Sequence, residues 1–80
     1  MEELNLSDRL RLIAGLIKKG SKVADIGTDH GYLPIFLVKS GITDRVIAMD
    51  VRKGPLKKAE DNTRAFCVFD QIELRLSDGL

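Results

Sequence analysis

Eighty residues carry 13 Lys+Arg, 12 Asp+Glu and one histidine, a net charge of +1 at neutral pH. A chain this short buries about 63% of its unfolded surface, enough for one thin core and too little for separate cofactor and substrate domains. With 44% hydrophobic and 31% charged residues, it reads as an ordinary globular chain without the charge excess of a general nucleic-acid binder or an acidic tail.

The start Met1-Glu2-Glu3 is acidic, unlike the basic opening of a secretory signal. Ser7 is placed to cap a helix over Ser7–Lys19, with Asp8 in its first turn. Leu10, Ile13, Ala14 and Ile17 make one apolar stripe, Lys18 and Lys19 close the last turn, and Gly20 is the left-handed stop. Lys22–Ile26 reads as a short buried strand ending in a turn at Gly27. The apolar run Leu33-Pro34-Ile35-Phe36-Leu37-Val38 predicts a buried helix from about Gly31 to Lys39, because Pro34 is tolerated only in a first turn; Gly41 ends it.

Arg45–Asp50 is the second strand, closed by a carboxylate. Gly54-Pro55 reads as a turn followed by a helix whose inner face is Leu56, Ala59, Thr63 and Phe66. A glycine stop is expected near its end, where Cys67-Val68-Phe69 stands instead. The lone Cys67 excludes an internal disulfide and, with one histidine, a cysteine-based zinc site; a reduced, cytoplasmic setting fits. Gln71–Leu76 alternates, with Ile72, Leu74 and Leu76 on one side and Glu73 and Arg75 on the other. No apolar run nears the ~20 residues that span a bilayer, so no membrane association is expected.

The order is a leading helix and then βαβαβ, an α/β fold with a parallel sheet and right-handed crossovers. The first two strands read as continuous apolar runs and the third alternates, which puts the third outside and gives the order 3-2-1.

In such sheets ligands bind beyond the carboxyl ends of the strands. Asp25, Gly27, Asp29, His30 and Gly31 follow or end the first strand, Asp50 and Val51 the second, and Asp78 and Gly79 the third. Glycines let backbone approach a ligand and adopt positive φ. Asp50, about 20 residues beyond Gly27, suits the two hydroxyls of a ribose, and Asp78 can accept from an exocyclic amine. A dinucleotide site has Gly-x-Gly-x-x-Gly; here Asp29 takes the middle place, where a carboxylate repels a pyrophosphate and suits a cation. S-adenosylmethionine, with its sulfonium, ammonium, ribose and adenine, is therefore favoured over NAD as the cofactor.

The stretch Val23-Ala24-Asp25-Ile26-Gly27-Thr28-Asp29-His30-Gly31-Tyr32-Leu33-Pro34 resembles the first motif of the bacterial tRNA adenine-N1 methyltransferases acting on adenine 22. Leu6-Ser7-Asp8-Arg9-Leu10, Gly54-Pro55 and Ile72-Glu73-Leu74-Arg75-Leu76-Ser77-Asp78-Gly79-Leu80 extend the similarity over essentially the whole chain. The resemblance implies a Rossmann-like methyltransferase half. It places the methionine moiety near Gly27, Asp29 and His30, the ribose on Asp50, the adenine beside Val51 and its edge at Asp78 and Gly79, with Arg9 lining the pocket. It implies tRNA as partner and a cytoplasmic enzyme. The family's fourth strand and target-binding motif would follow Leu80, so residues 1–80 are expected to be the cofactor-binding portion, with catalytic residues beyond it.

Plainer roles stand beside these. Asp25 can bond the next turn's amides, Asp29 can cap a helix, and His30 can be a structural hydrogen-bonder. Tyr32 and Phe36 are read as packing residues and Cys67 as a buried or half-buried small hydrophobe. Arg52, Lys53, Lys57 and Lys58 are either a phosphate-contacting cluster or a solvated helix face. The first strand would be an open edge, inviting self-association. A non-catalytic nucleoside-binding or interaction module is the alternative to the enzyme, and an NAD oxidoreductase fragment a weaker one.

Overall fold

The structure, a computed structural model, describes residues 7–79; Leu6 and Leu80 of the motifs above, and the acidic start, lie outside them. Helix α1 spans Asp8–Gly15, β1 Val23–Ile26, α2 Tyr32–Lys39, β2 Val46–Asp50, α3 Lys53–Ala65 and β3 Ile72–Leu76, with a 3₁₀ turn at Phe69–Gln71 before β3. The three strands are parallel in the order β1-β2-β3, the expected 3-2-1 read from the other edge.

Register decides what each strand buries. Val23, Val46 and Ile72 lie side by side, as do Asp25, Ala48 and Leu74, and these rows share the face that packs on the helices. Ile35 and Leu37 of α2, with no exposed surface, join Val46, Ala48, Ile72 and Val68 in one core; burying each large aliphatic contributes about 1.5–3 kcal/mol. Ala59 and Thr63 of α3 are buried as the inner face required. Consecutive right-handed crossovers between adjacent strands put α2 and α3 on the same side.

That one-sidedness corrects the reading of the first strand as buried. β1 is an edge strand, and Ala24 and Ile26 on its other face are exposed, Ile26 by 60%. In β3 the alternation holds in direction, but burial fades from Ile72 through Leu74 to an exposed Leu76.

Helix boundaries also differ. The expected Ser7–Lys19 helix is capped by Ser7, whose Oγ accepts from the Leu10 N–H at 3.3 Å, but it ends at Gly15. The Leu16 N–H turns back to the Ile13 carbonyl at 3.1 Å, a 3₁₀ tightening, so Lys18 and Lys19 lie past the helix. α3 begins at Lys53, which takes Gly54 and Pro55 into its first turn, where a missing proline N–H costs no helical bond.

Cys67 is exposed, not buried, and sits at φ +61°. It fills the left-handed place that a glycine normally takes: its N–H donates to the Arg64 carbonyl at 3.1 Å, and the Val68 N–H to Thr63 at 2.9 Å.

Candidate cofactor site at the strand tips

The loop after β1 is held by its backbone. Gly27, Asp29 and Gly31 all have positive φ, at +74°, +57° and +78°. Asp is among the few residues that accept this conformation without a glycine's freedom. The Thr28 N–H donates to the Met49 carbonyl at 2.7 Å, stitching the loop to the end of β2, and the Gly31 N–H returns to Thr28 at 3.0 Å. A Cβ at Gly27 would meet nothing within 4 Å, whereas one at Gly31 would come 3.1 Å from the Ala59 Cβ. Gly27 is thus an open backbone surface and Gly31 a packing joint with α3. Asn62 on α3 reinforces the joint by donating from Nδ2 to the His30 carbonyl at 2.9 Å.

The three strand tips converge. The Asp50 carboxylate accepts the Asp29 N–H at 3.1 Å, and the Asp50 carbonyl accepts the Ser77 N–H at 2.9 Å. A Cβ at Gly79 would lie 2.7 Å from Ile26 Cδ1, so the turn after β3 folds back to the end of β1. Asp29, Asp50 and the Asp78-Gly79 turn therefore lie at one end of the sheet.

Asp50 is the most constrained of them, its side chain 1% exposed. It also accepts the Arg52 N–H at 2.9 Å, Arg52 Nε at 3.0 Å and Arg52 Nη2 at 3.1 Å. The guanidinium, with the two backbone donors, holds the carboxyl well below the usual carboxylate range, and Asp50 in turn raises Arg52. Burial pushes Asp25 the other way, upward; Thr28 counters this and the Asp50 charge adds to it. The Thr28 hydroxyl is itself buried without a partner in ordinary hydrogen-bond geometry.

A cleft of about 520 Å³ opens between α1 and the β1 loop, within the range of small-molecule sites. Asp25, Gly27, Asp29 and His30 line it, and Arg9 reaches it from α1. Asp50, Val51, Asp78 and Gly79 do not line this cleft, and Val51 is 62% exposed. Gly31 lies behind the loop, against α3. His30 Nδ1 is 3.5 Å from Asp29 Oδ2, and its ring tilts against Tyr32 at 5.8 Å. Tyr32 is thus a half-exposed wall of the cleft and not a packing residue, while Phe36 packs on the core. Asp29 does not cap α2; Gly31 holds that position.

Of the basic cluster, Arg52 is engaged by Asp50 and Lys57 by Glu60 and Asp61 at 3.0 and 3.3 Å. The sequence left Arg52 between a phosphate contact and a solvated helix face, and did not single out Asn62. Their signals were present: a cation two residues past the strand-end carboxylate, and an amide beside the inner-face Ala59 and Thr63. Among the described residues no three His, Cys, Asp or Glu side chains gather as a metal site, and no helix is long and apolar enough to cross a membrane.

A parallel sheet whose tips gather glycines and carboxylates is the frame of a Rossmann-like nucleoside site. Residues 6–80 match the family model described as a methyltransferase domain, and the chain belongs to that family. Within it, the chain is 38% identical over 80 residues to the tRNA (adenine(22)-N(1))-methyltransferase of Bacillus subtilis (strain 168), covering all of this chain and 34% of that protein. M. capricolum TrmK, solved with the cofactor product S-adenosyl-homocysteine, superposes with a TM-score of 0.89 at 45% identity, over 94% of this chain and 33% of that one. Streptococcus pneumoniae Sp1610, solved with S-adenosyl-L-methionine, gives 0.89 at 39% identity, over 95% and 36%. The chain thus spans about a third of the length of these relatives.

Proposed function

We propose that this chain is the S-adenosylmethionine-binding portion of a tRNA adenine-N1 methyltransferase. The observation that carries the reading is the convergence of Asp29, Asp50 and the Asp78-Gly79 turn at one sheet end, bound together by the Asp29 and Ser77 amides. The residues fit the cofactor: Gly27 presents open backbone beside a cleft that Asp25 and Asp29 make anionic, and Asp50 supplies a fixed carboxylate for a ribose.

When bound, the cofactor supplies an electrophilic methyl on a sulfonium centre. The chain's own residues bind and orient. Asp29 and His30 face the methionine moiety, Gly27 lets backbone approach it, Asp50 takes the ribose, Val51 flanks the adenine, and Asp78 and Gly79 meet its edge. Adenine N1 already carries a lone pair, so positioning and not proton abstraction is the main demand. Methylation leaves a cationic adenine, and the Asp29 carboxylate favours that charge.

Isothermal calorimetry of the chain with S-adenosylmethionine and with NAD tests the cofactor; binding of NAD alone would overturn the assignment. Transfer of labelled methyl to a tRNA with adenine at position 22, measured on the full-length protein, tests the activity, and Asp29→Asn is expected to lower it there. Binding without transfer by the full-length protein would identify a nucleoside-binding module instead. A tRNA substrate and a reduced Cys67 fit the cytoplasm.

We also propose that, in the 80-residue chain taken by itself, the outer edge of β1 pairs with a second copy. Its backbone groups on that side face no strand among the described residues, which is the arrangement that invites edge-to-edge pairing. Light scattering across a concentration series is expected to show a dimer; a monomer at high concentration with a sharp melting transition would rule this out.

A further inference from the structure

A carboxylate has about four acceptor positions, and those of Asp50 are all taken. Two donors are backbone: the Asp29 N–H on Oδ2 and the Arg52 N–H on Oδ1. They belong to the fixed frame of the strand tips. The other two are the Arg52 fork, Nε on Oδ1 at 3.0 Å and Nη2 on Oδ2 at 3.1 Å. This fork comes from a side chain that is 60% exposed, whereas the carboxylate beneath it is 1% exposed.

Two parallel donors, one to each carboxylate oxygen, are also what the vicinal hydroxyls of a ribose present. The geometry points to Arg52 as a displaceable stand-in for a nucleoside diol: it occupies the diol seat on Asp50 in the free chain and leaves when a ribose binds. The inference rests on the nucleoside reading above and adds the residue that sets the affinity of that seat. Displacement does not strand the cation. Arg52 Nη2 already lies 3.7 Å from Asp29 Oδ1, and water reaches the guanidinium. Asp50 exchanges one pair of donors for another and keeps both backbone bonds, so the buried carboxylate is satisfied in either state.

If the seat is closed most of the time, the apparent affinity falls by the fraction open. Arg52→Met removes the fork while keeping the apolar stem. It is expected to bind S-adenosylhomocysteine about 3- to 10-fold more tightly than the parent chain, a fork formed in roughly 70–90% of molecules. Arg52→Lys, which keeps the charge and loses the fork, is expected to fall between the two and guards against loss of folding in the methionine variant. A ligand without the diol, 5′-methylthio-2′,3′-dideoxyadenosine, is expected to gain nothing from either change. As a direct readout, the Arg52 Nε–H proton in the nitrogen-correlated NMR spectrum should exchange about 3- to 10-fold more slowly in the free chain than with saturating S-adenosylhomocysteine. If the parent chain binds S-adenosylhomocysteine and Arg52→Met binds it equally or less tightly, the displacement is refuted while the nucleoside site stands. If neither binds it, the nucleoside reading itself falls, and this inference with it.

Discussion

Gly31 is the point where the candidate site is locked to the fold, and Gly31→Ala tests that lock. The backbone there has φ +78°, and an added Cβ would sit 3.1 Å from the Ala59 Cβ on a fully buried position of α3. A left-handed conformation costs an L-residue about 1–2 kcal/mol, of which ~0.4–1 kcal/mol returns through the stiffer unfolded chain. The contact is with a short side chain on a packed helix, so the helix must shift, an overpacking cost of about 1–3 kcal/mol. Together these give ~2–4 kcal/mol, against a total of roughly 4–12 kcal/mol for a domain this size. Circular dichroism should record a melting temperature lower by about 10–25 °C. Ala59→Gly alone should cost ~1 kcal/mol through helix propensity. The double substitution should be less harmful than the sum by about 1–3 kcal/mol, because it removes the shared contact. Melting of Gly31→Ala within a degree of the parent, or strict additivity with Ala59→Gly, would refute the argument.

Cys67→Gly should act oppositely, because Cys67 is exposed at φ +61° and little packing is lost; a gain of about 0.5–1 kcal/mol is expected in urea titration. The depressed pKa of Asp50 implies stability that is present above the ordinary carboxylate value near 4 and lost as the pH falls below it. Asp50→Asn should be less stable than the parent at neutral pH, and the difference should shrink on acidification; a constant difference down to pH 2 would contradict the assignment. The raised pKa of Asp25 has the opposite sign, costing stability as the pH rises through its titration, so Asp25→Asn should gain at neutral pH.

The local pattern of apolar residues, turns and caps was enough to specify the elements and their order. Ser7, Pro34, Gly41 and the alternation of β3 each act over a few residues, and each element they mark is present. The same pattern put Gly27, Asp29, Asp50, Asp78 and Gly79 at strand tips, because a βαβαβ chain with right-handed crossovers brings those tips to one end. The burial of β1 was not legible. β1 is as apolar as a central strand, yet it stands at an edge with Ile26 exposed, since what covers a strand is supplied by other parts of the molecule. Nor could spacing reveal that Arg52 fills the acceptors of Asp50, that Asn62 grips His30 from a helix 32 residues away, or that Cys67 takes a glycine's left-handed place. Periodicity fixes which way a side chain leaves the backbone; only the three-dimensional packing decides what waits there to meet it.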